Sequence, residues 1–125
     1  MRYFLKSYFP LCCLITLATE SFAHDAPKSN PVSTYSIVAY DEKTGEFGVA
    51  VQSHWFSVGF LVPWAKAGVG AVATQSFVKV EYGPDGLALM EDGKSAKEAL
   101  DQLISADEGQ AVRQVAMIDS KGGVA

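Results

Sequence analysis

Two apolar runs joined by a short polar turn constrain this chain more than any other feature. Residues 34–40 read TYSIVAY, residues 47–53 read FGVAVQS, and DEKTG lies between them at 41–45. In the first run Tyr35, Ile37 and Ala39 fall on one face, Val38 and Tyr40 on the other. The second run is similar. Strands apolar on both faces belong inside layered folds rather than on a solvated sheet. Thr44-Gly45 supplies the hairpin turn, with Gly45 free to take positive φ. Residues 68–74 (GVGAVAT) read as a third strand of small residues, which lets another layer approach closely. Polar residues end all three runs. Thr34 opens the first, and Ser36, two positions on, shares its side. Ser53-His54 closes the second, and Gln75-Ser76 the third.

The rest of the chain supplies helices on one side. Residues 58–68 have no clean period, and Pro63 argues against a regular central element there. Pro84 suits the first turn of a helix over 85–92, with Gly93 at its end. Ser95-Ala96-Lys97-Glu98 is a capping box. Ala96, Ala99, Leu100, Leu103 and Ile104 then form one apolar stripe at helical spacing, and Gly109 ends that helix. The acidic pairs Glu91-Asp92 and Asp107-Glu108 read as solvated helix ends. Residues 112–119 form a last strand, 120–123 a turn, and Val124-Ala125 is too short to pair. The order of elements predicts an α+β layered fold. Two helices cover only one face of sheets whose strands look buried on both. Residues 34–125 therefore read as the N-terminal part of a domain truncated at its C-terminal side.

The first 33 residues stand apart. Arg2 and Lys6 precede a short apolar run, and Ser21-Phe22-Ala23 ends it with small residues where a signal peptidase reads. This is the pattern of a cleaved secretory signal, 1–23, and the run is too short for a membrane span. Residues 24–33, with Pro27, Ser29, Asn30, Pro31 and Ser33, read as a flexible stub. Cleavage removes Cys12 and Cys13, both cysteines of the chain, so no disulfide is expected in the exported protein. The remaining 102 residues carry 8 basic and 13 acidic side chains, a net charge of −5 with His neutral. That balance disfavours nucleic acid and anionic membranes as partners. The expected location is the periplasm or the exterior, without a stable membrane anchor. A homo-oligomer is among the states the chain can adopt.

Few residues can carry chemistry. His54 is the one histidine outside the stub, and a histidine beside Ser53 can serve as a general base or as a hydrogen-bonded structural residue. A Ser-His-Asp triad does not assemble: there is no G-x-S-x-G elbow, and Asp41 lies at the opposite end of the first strand from Thr34. One histidine and no cysteine make a poor metal site. The glycines at 68, 70, 83 and 86 lack phosphate-binding spacing. No metal or organic cofactor is implied. The hydroxyls remain, and a threonine becomes a strong nucleophile when its own free α-amine acts as base.

A family resemblance rests on these residues. Thr34-Tyr35-Ser36-Ile37-Val38-Ala39, Thr44-Gly45, Gly48-Val49-Ala50-Val51, Val62-Pro63-Trp64-Ala65, Gly68 through Gln75, and Tyr82-Gly83-Pro84 with Gly86-Leu87 resemble the domain of unknown function 1028 family. The likeness runs from Thr34 to Ala125. That family is grouped with the N-terminal nucleophile (Ntn) hydrolases, so the resemblance implies a four-layer αββα sandwich and amide hydrolysis. It implies that Thr34, at the start of the first strand, is the nucleophile, and that Ser53, His54, Gln75 and Ser76 line the substrate site. The substrate would be a small molecule or peptide. With the stub attached, Thr34 has an amide nitrogen and no base. The alternative is a non-enzymatic exported domain of the same fold that binds a ligand or partner.

Overall fold

A computed structural model describes residues 33–125. The predicted signal, and all of the stub but Ser33, lie outside the described residues.

Strand β1 (Tyr35–Asp41) pairs antiparallel with β2 (Glu46–Gln52), Tyr35 opposite Gln52 and Asp41 opposite Glu46. The turn closes as expected: Gly45 takes φ 73° and donates its N–H to the Asp41 carbonyl at 2.7 Å. A second, three-stranded antiparallel sheet has the order β3-β4-β5, with β3 at Pro63–Lys66, β4 at Gly70–Ser76 and β5 at Arg113–Asp119. The hairpin packs on one face of this sheet, and α1 (Tyr82–Glu91) and α2 (Ala96–Ser105) cover the other. The fold is α+β, with two small sheets and two helices.

Strand alternation explains how the layers meet. Ala71, Ala73 and Gln75 of β4 face the hairpin, while Val72 faces the helices and joins Leu87, Met90, Ala96, Ala99 and Met117 in one buried cluster. Alanines on the hairpin side accept the bulkier inner residues of β1 and β2, which is what a small-residue strand permits. On the helix side, α1 lies so close that a Cβ at Gly83 would strike the Trp64 ring and one at Gly86 the Met117 side chain. Two glycines inside a helix cost about 1 kcal/mol each in propensity. Here they set the distance between α1 and the sheet. The Ser95–Glu98 capping box forms in both directions.

Pro63 stays out of a central strand, as expected: it opens β3, an edge strand, where a missing N–H costs nothing. Three expectations need correction. Gly109 does not end α2. The helix stops at Ser105, and Gly109 instead precedes a 3₁₀ turn at Gln110–Val112. The last two residues do pair. Ala125 and Met117 exchange backbone hydrogen bonds of 3.0 and 2.8 Å, and Val124 bridges Ile118. The hairpin is not covered on both faces by the described residues. Tyr35 and Ile37 on its outer face are 63% and 60% exposed, because both helices lie on the other sheet.

Asp107 is the largest surprise. Expected at a solvated helix end, it is buried. Its carboxylate accepts from Arg113 Nε at 2.9 Å, Tyr82 Oη at 2.8 Å and the Gly109 N–H at 3.0 Å. Arg113 also donates to the Phe77 carbonyl, so the cluster ties the end of β4 to β5 and α1. The Arg113 hydrogen bond, aided by Tyr82 and Gly109, holds the Asp107 carboxyl well below the usual carboxylate range. Burial and the bond to Asp107 push the Tyr82 phenol up to about 12. These shifts give opposite pH limits. Asp107 is depressed, so its stabilisation is present above the ordinary carboxylate pKa of about 4 and drains away as pH falls below that. Tyr82 is raised, so its contribution is present below about pH 10 and is lost as pH climbs toward about 12. Urea midpoints should therefore fall off at both extremes. Asp107→Asn should shrink the acid limb and Tyr82→Phe the alkaline limb. Unchanged limbs in both variants would remove this cluster from the account.

Candidate functional site

The polar strand ends converge. Thr34, Ser53, His54, Trp55, Val58, Val62, Gln75, Ser76, Val78 and Gln114 line one cavity of about 330 Å³. All five residues singled out from the sequence are among them. Register explains why. Tyr35 opposes Gln52, so Thr34 stands opposite Ser53 one step beyond the ladder. Their hydroxyl oxygens are 2.8 Å apart, and either can donate. Ser53 Oγ also accepts the Trp55 N–H at 3.1 Å, which holds the serine in place. Ser36, on the inner face with Thr34, donates to Gln75 Oε1 at 3.4 Å. That contact joins β1 to β4 across the two sheets.

Gln75 is only 7% exposed, and among the described residues its Nε2 has no hydrogen-bond partner. A buried amide N–H₂ without an acceptor carries a desolvation cost, and here it sits in the wall of a cavity. Ser76 follows with φ 69°, a left-handed conformation that is costly for a residue other than glycine. Ser57, on the loop that returns over the cavity, also has positive φ, at 58°. Strain of this kind gathers where surrounding structure holds a backbone in place for use.

His54 is exposed, its ring tilted against Trp55 with centroids 5.0 Å apart. Among the described residues no hydrogen bond joins it to Ser53 or Thr34. It forms part of the cavity wall and does not make a serine–histidine pair. The side chains that sequence reading missed are Trp55, Val58, Val62, Val78 and Gln114. Gln114 was the most findable: it interrupts an apolar strand, and it stands directly opposite Gln75. The valines look like any core residue until the loop is folded over them. Among the described residues no group of three or more His, Cys, Asp or Glu side chains is placed to hold a metal ion, and no helix is long and apolar enough to cross a membrane.

A larger hollow, about 680 Å³, lies at the opposite end of the hairpin, around Tyr40, Asp41, Gly45 and Glu46. Its two carboxylates are exposed and nothing in it is buried and unpaired. Size alone does not make it the better site.

These features define a class: an α+β domain of two packed sheets whose strand ends open on one polar cavity. The family model described as a family of unknown function, DUF1028, matches residues 34–125, and the chain belongs to this family. It is also similar to the crystal structure of a DUF1028 protein from Silicibacter pomeroyi. The two share 32% identity at a TM-score of 0.70, over 74% of this chain and 43% of that one. This chain thus spans less than half the length of that protein. A search of curated proteins found no match.

Proposed function

We propose that this is an exported amide hydrolase of the N-terminal nucleophile type, acting on a small-molecule or peptide amide with Thr34 as nucleophile. The observation that carries the reading is the placement of Thr34. It stands at the start of β1, with its hydroxyl on Ser53 and the unpaired Gln75 amide in the wall of the same cavity. In the reaction, a free α-amine on Thr34 takes the hydroxyl proton as Oγ1 attacks the substrate carbonyl. Ser53 orients that hydroxyl. Gln75 Nε2, already dehydrated and without an acceptor, donates to the oxyanion as it forms. The protonated amine then passes its proton to the leaving nitrogen, and the C–N bond breaks. Water then attacks the Thr34 ester and gives a proton to the same amine; the acyl C–Oγ1 bond breaks, the amine returns that proton to Oγ1, and the carboxylic acid product leaves.

The fold proposed with this activity is the four-layer αββα sandwich. Its fourth layer would rest on the outer face of β1 and β2, where Tyr35 and Ile37 now stand exposed. Residues 1–23 act as the export signal and 24–33 as the stub, and the cavity is completed in the periplasm or outside the cell.

The mechanism turns on the peptide bond between Ser33 and Thr34. Ser33 is in place and exposed in the structure, so the Thr34 nitrogen is an amide there. A chain that keeps its stub has no base at Thr34 and would act instead as a ligand-binding domain, the second reading. Mass spectrometry of the exported protein separates the two. The hydrolase requires a mature chain that begins at Thr34. A stable N-terminus at His24 supports the binding domain and sinks the mechanism.

A further inference from the structure

We propose that the cavity selects an uncharged amide whose side group is apolar or aromatic. This deepens the hydrolase reading, but the recognition it describes operates whether or not Thr34 is unmasked. The lining contains no Lys, Arg, Asp or Glu. Its polar groups are the hydroxyls of Thr34, Ser53 and Ser76, the amides of Gln75 and Gln114, and, on the exposed side, the His54 imidazole. The opposing wall is apolar, built from Val58, Val62 and Val78, with Trp55 at the rim. A carboxylate or ammonium group entering here gives up its hydration and meets no Lys, Arg, Asp or Glu side chain in the lining to offset the loss. Arg113, opposite Ser76 in the β4–β5 ladder, is committed to Asp107 and the Phe77 carbonyl.

The neutral polar groups specify an amide. Gln75 Oε1 accepts from Ser36, which leaves the buried Nε2 as a donor with no acceptor among the described residues. A ligand carbonyl satisfies it once the amide turns toward the cavity. Gln114 stands directly across the ladder on the same face and can offer both a donor and an acceptor to a second amide edge. The volume, about 330 Å³, lies at the small end for ligand cavities and suits a single residue-sized group. Trp55 is 70% exposed, and its ring is available to stack on an aromatic or aliphatic side group.

The test is binding to the intact chain, which needs no free amine and no turnover. Calorimetry would compare N-acetylphenylalaninamide, N-acetylglutamate α-amide and N-acetyllysinamide, which share one backbone and differ in side-group charge. The neutral ligand should bind at least about tenfold more tightly than either charged one. Trp55→Glu places a carboxylate at an exposed rim position without disturbing the core, and should move the preference toward the lysine amide. Equal affinities across the three ligands, no binding of the neutral one at millimolar concentration, or an unmoved preference in Trp55→Glu would each overturn the proposal. Absence of hydrolysis by the chain that begins at Thr34, with neutral selectivity intact, would overturn the hydrolase and leave this inference standing.

Discussion

Thr34→Ala should abolish amide hydrolysis by the processed protein, lowering kcat about 10³-fold or more. The substitution removes the attacking oxygen and leaves the amine, so no other group inherits the step. Alanine keeps the backbone of the first residue. Thr34 is only half-buried, and among the described residues its one side-chain hydrogen bond is to Ser53, so the fold should tolerate the change. Folding can be checked by the urea midpoint while turnover is followed on the neutral amide that binds best. Undiminished turnover in Thr34→Ala would move the nucleophile elsewhere, with Ser53 the nearest hydroxyl. Thr34→Ser should retain measurable activity, because a primary hydroxyl with the same amine beside it can still attack.

Asp119→Ala is expected to destabilise the fold by about 3–5 kcal/mol, since three charge-assisted hydrogen bonds go at once. Asp119 closes β5 and is buried. Its Oδ2 accepts the Ala96 N–H at 2.8 Å, and Oδ1 accepts those of Lys121 and Gly123, each at 2.9 Å. Burial works against the charged form, yet these donors and the nearby Lys121 charge outweigh it and hold the carboxyl below its ordinary range. Ala96 is the first residue of α2, and its N–H is one of the orphan donors at a helix start. Asp119 therefore caps α2 from another strand while shaping the 120–123 turn. With alanine, the Ala96 N–H is left buried with no acceptor. For a domain near 100 residues, 1 kcal/mol shifts Tm by about 4–8 °C, so a fall of roughly 15 °C or more is expected. Asp119→Asn keeps an acceptor oxygen and should cost less. A loss under about 1 kcal/mol in Asp119→Ala would show that the turn and the helix start hold without it.

Several parts of this protein are written locally. The hairpin turn at Gly45 needs positive φ, and glycine sits there. The Ser95–Glu98 capping box depends on residues three apart, and it forms. Thr34 and Ser36 share a strand side by the two-residue period, and both turn to the inner face, where each makes a side-chain hydrogen bond. Because strand ends were readable, so was the set of polar residues at them.

Other parts depend on partners far along the chain. Asp107 looked like a solvated residue because its neighbours Glu108 and Ser105 are polar; Tyr82, 25 residues earlier, and Arg113 make it the centre of a buried cluster. Val124 and Ala125 looked too short to pair, but β5 was already fixed by β4 and offered them a ready edge. Both faces of the hairpin are apolar by composition, and composition cannot say which face meets the alanines of β4.

The sequence by itself thus determined the hairpin, the start of α2 and which hydroxyls, amides and imidazole stand at the strand ends, because turns, caps and periodicity act over three or four residues. Tertiary structure alone decided that Thr34 meets Ser53, that Gln75 is buried with an unanswered donor, and that valines and a tryptophan close the cavity around them. Those facts depend on register and on the packing of one sheet against another, which bring together residues separated by 19 to 80 positions and leave no mark at any single position of the chain.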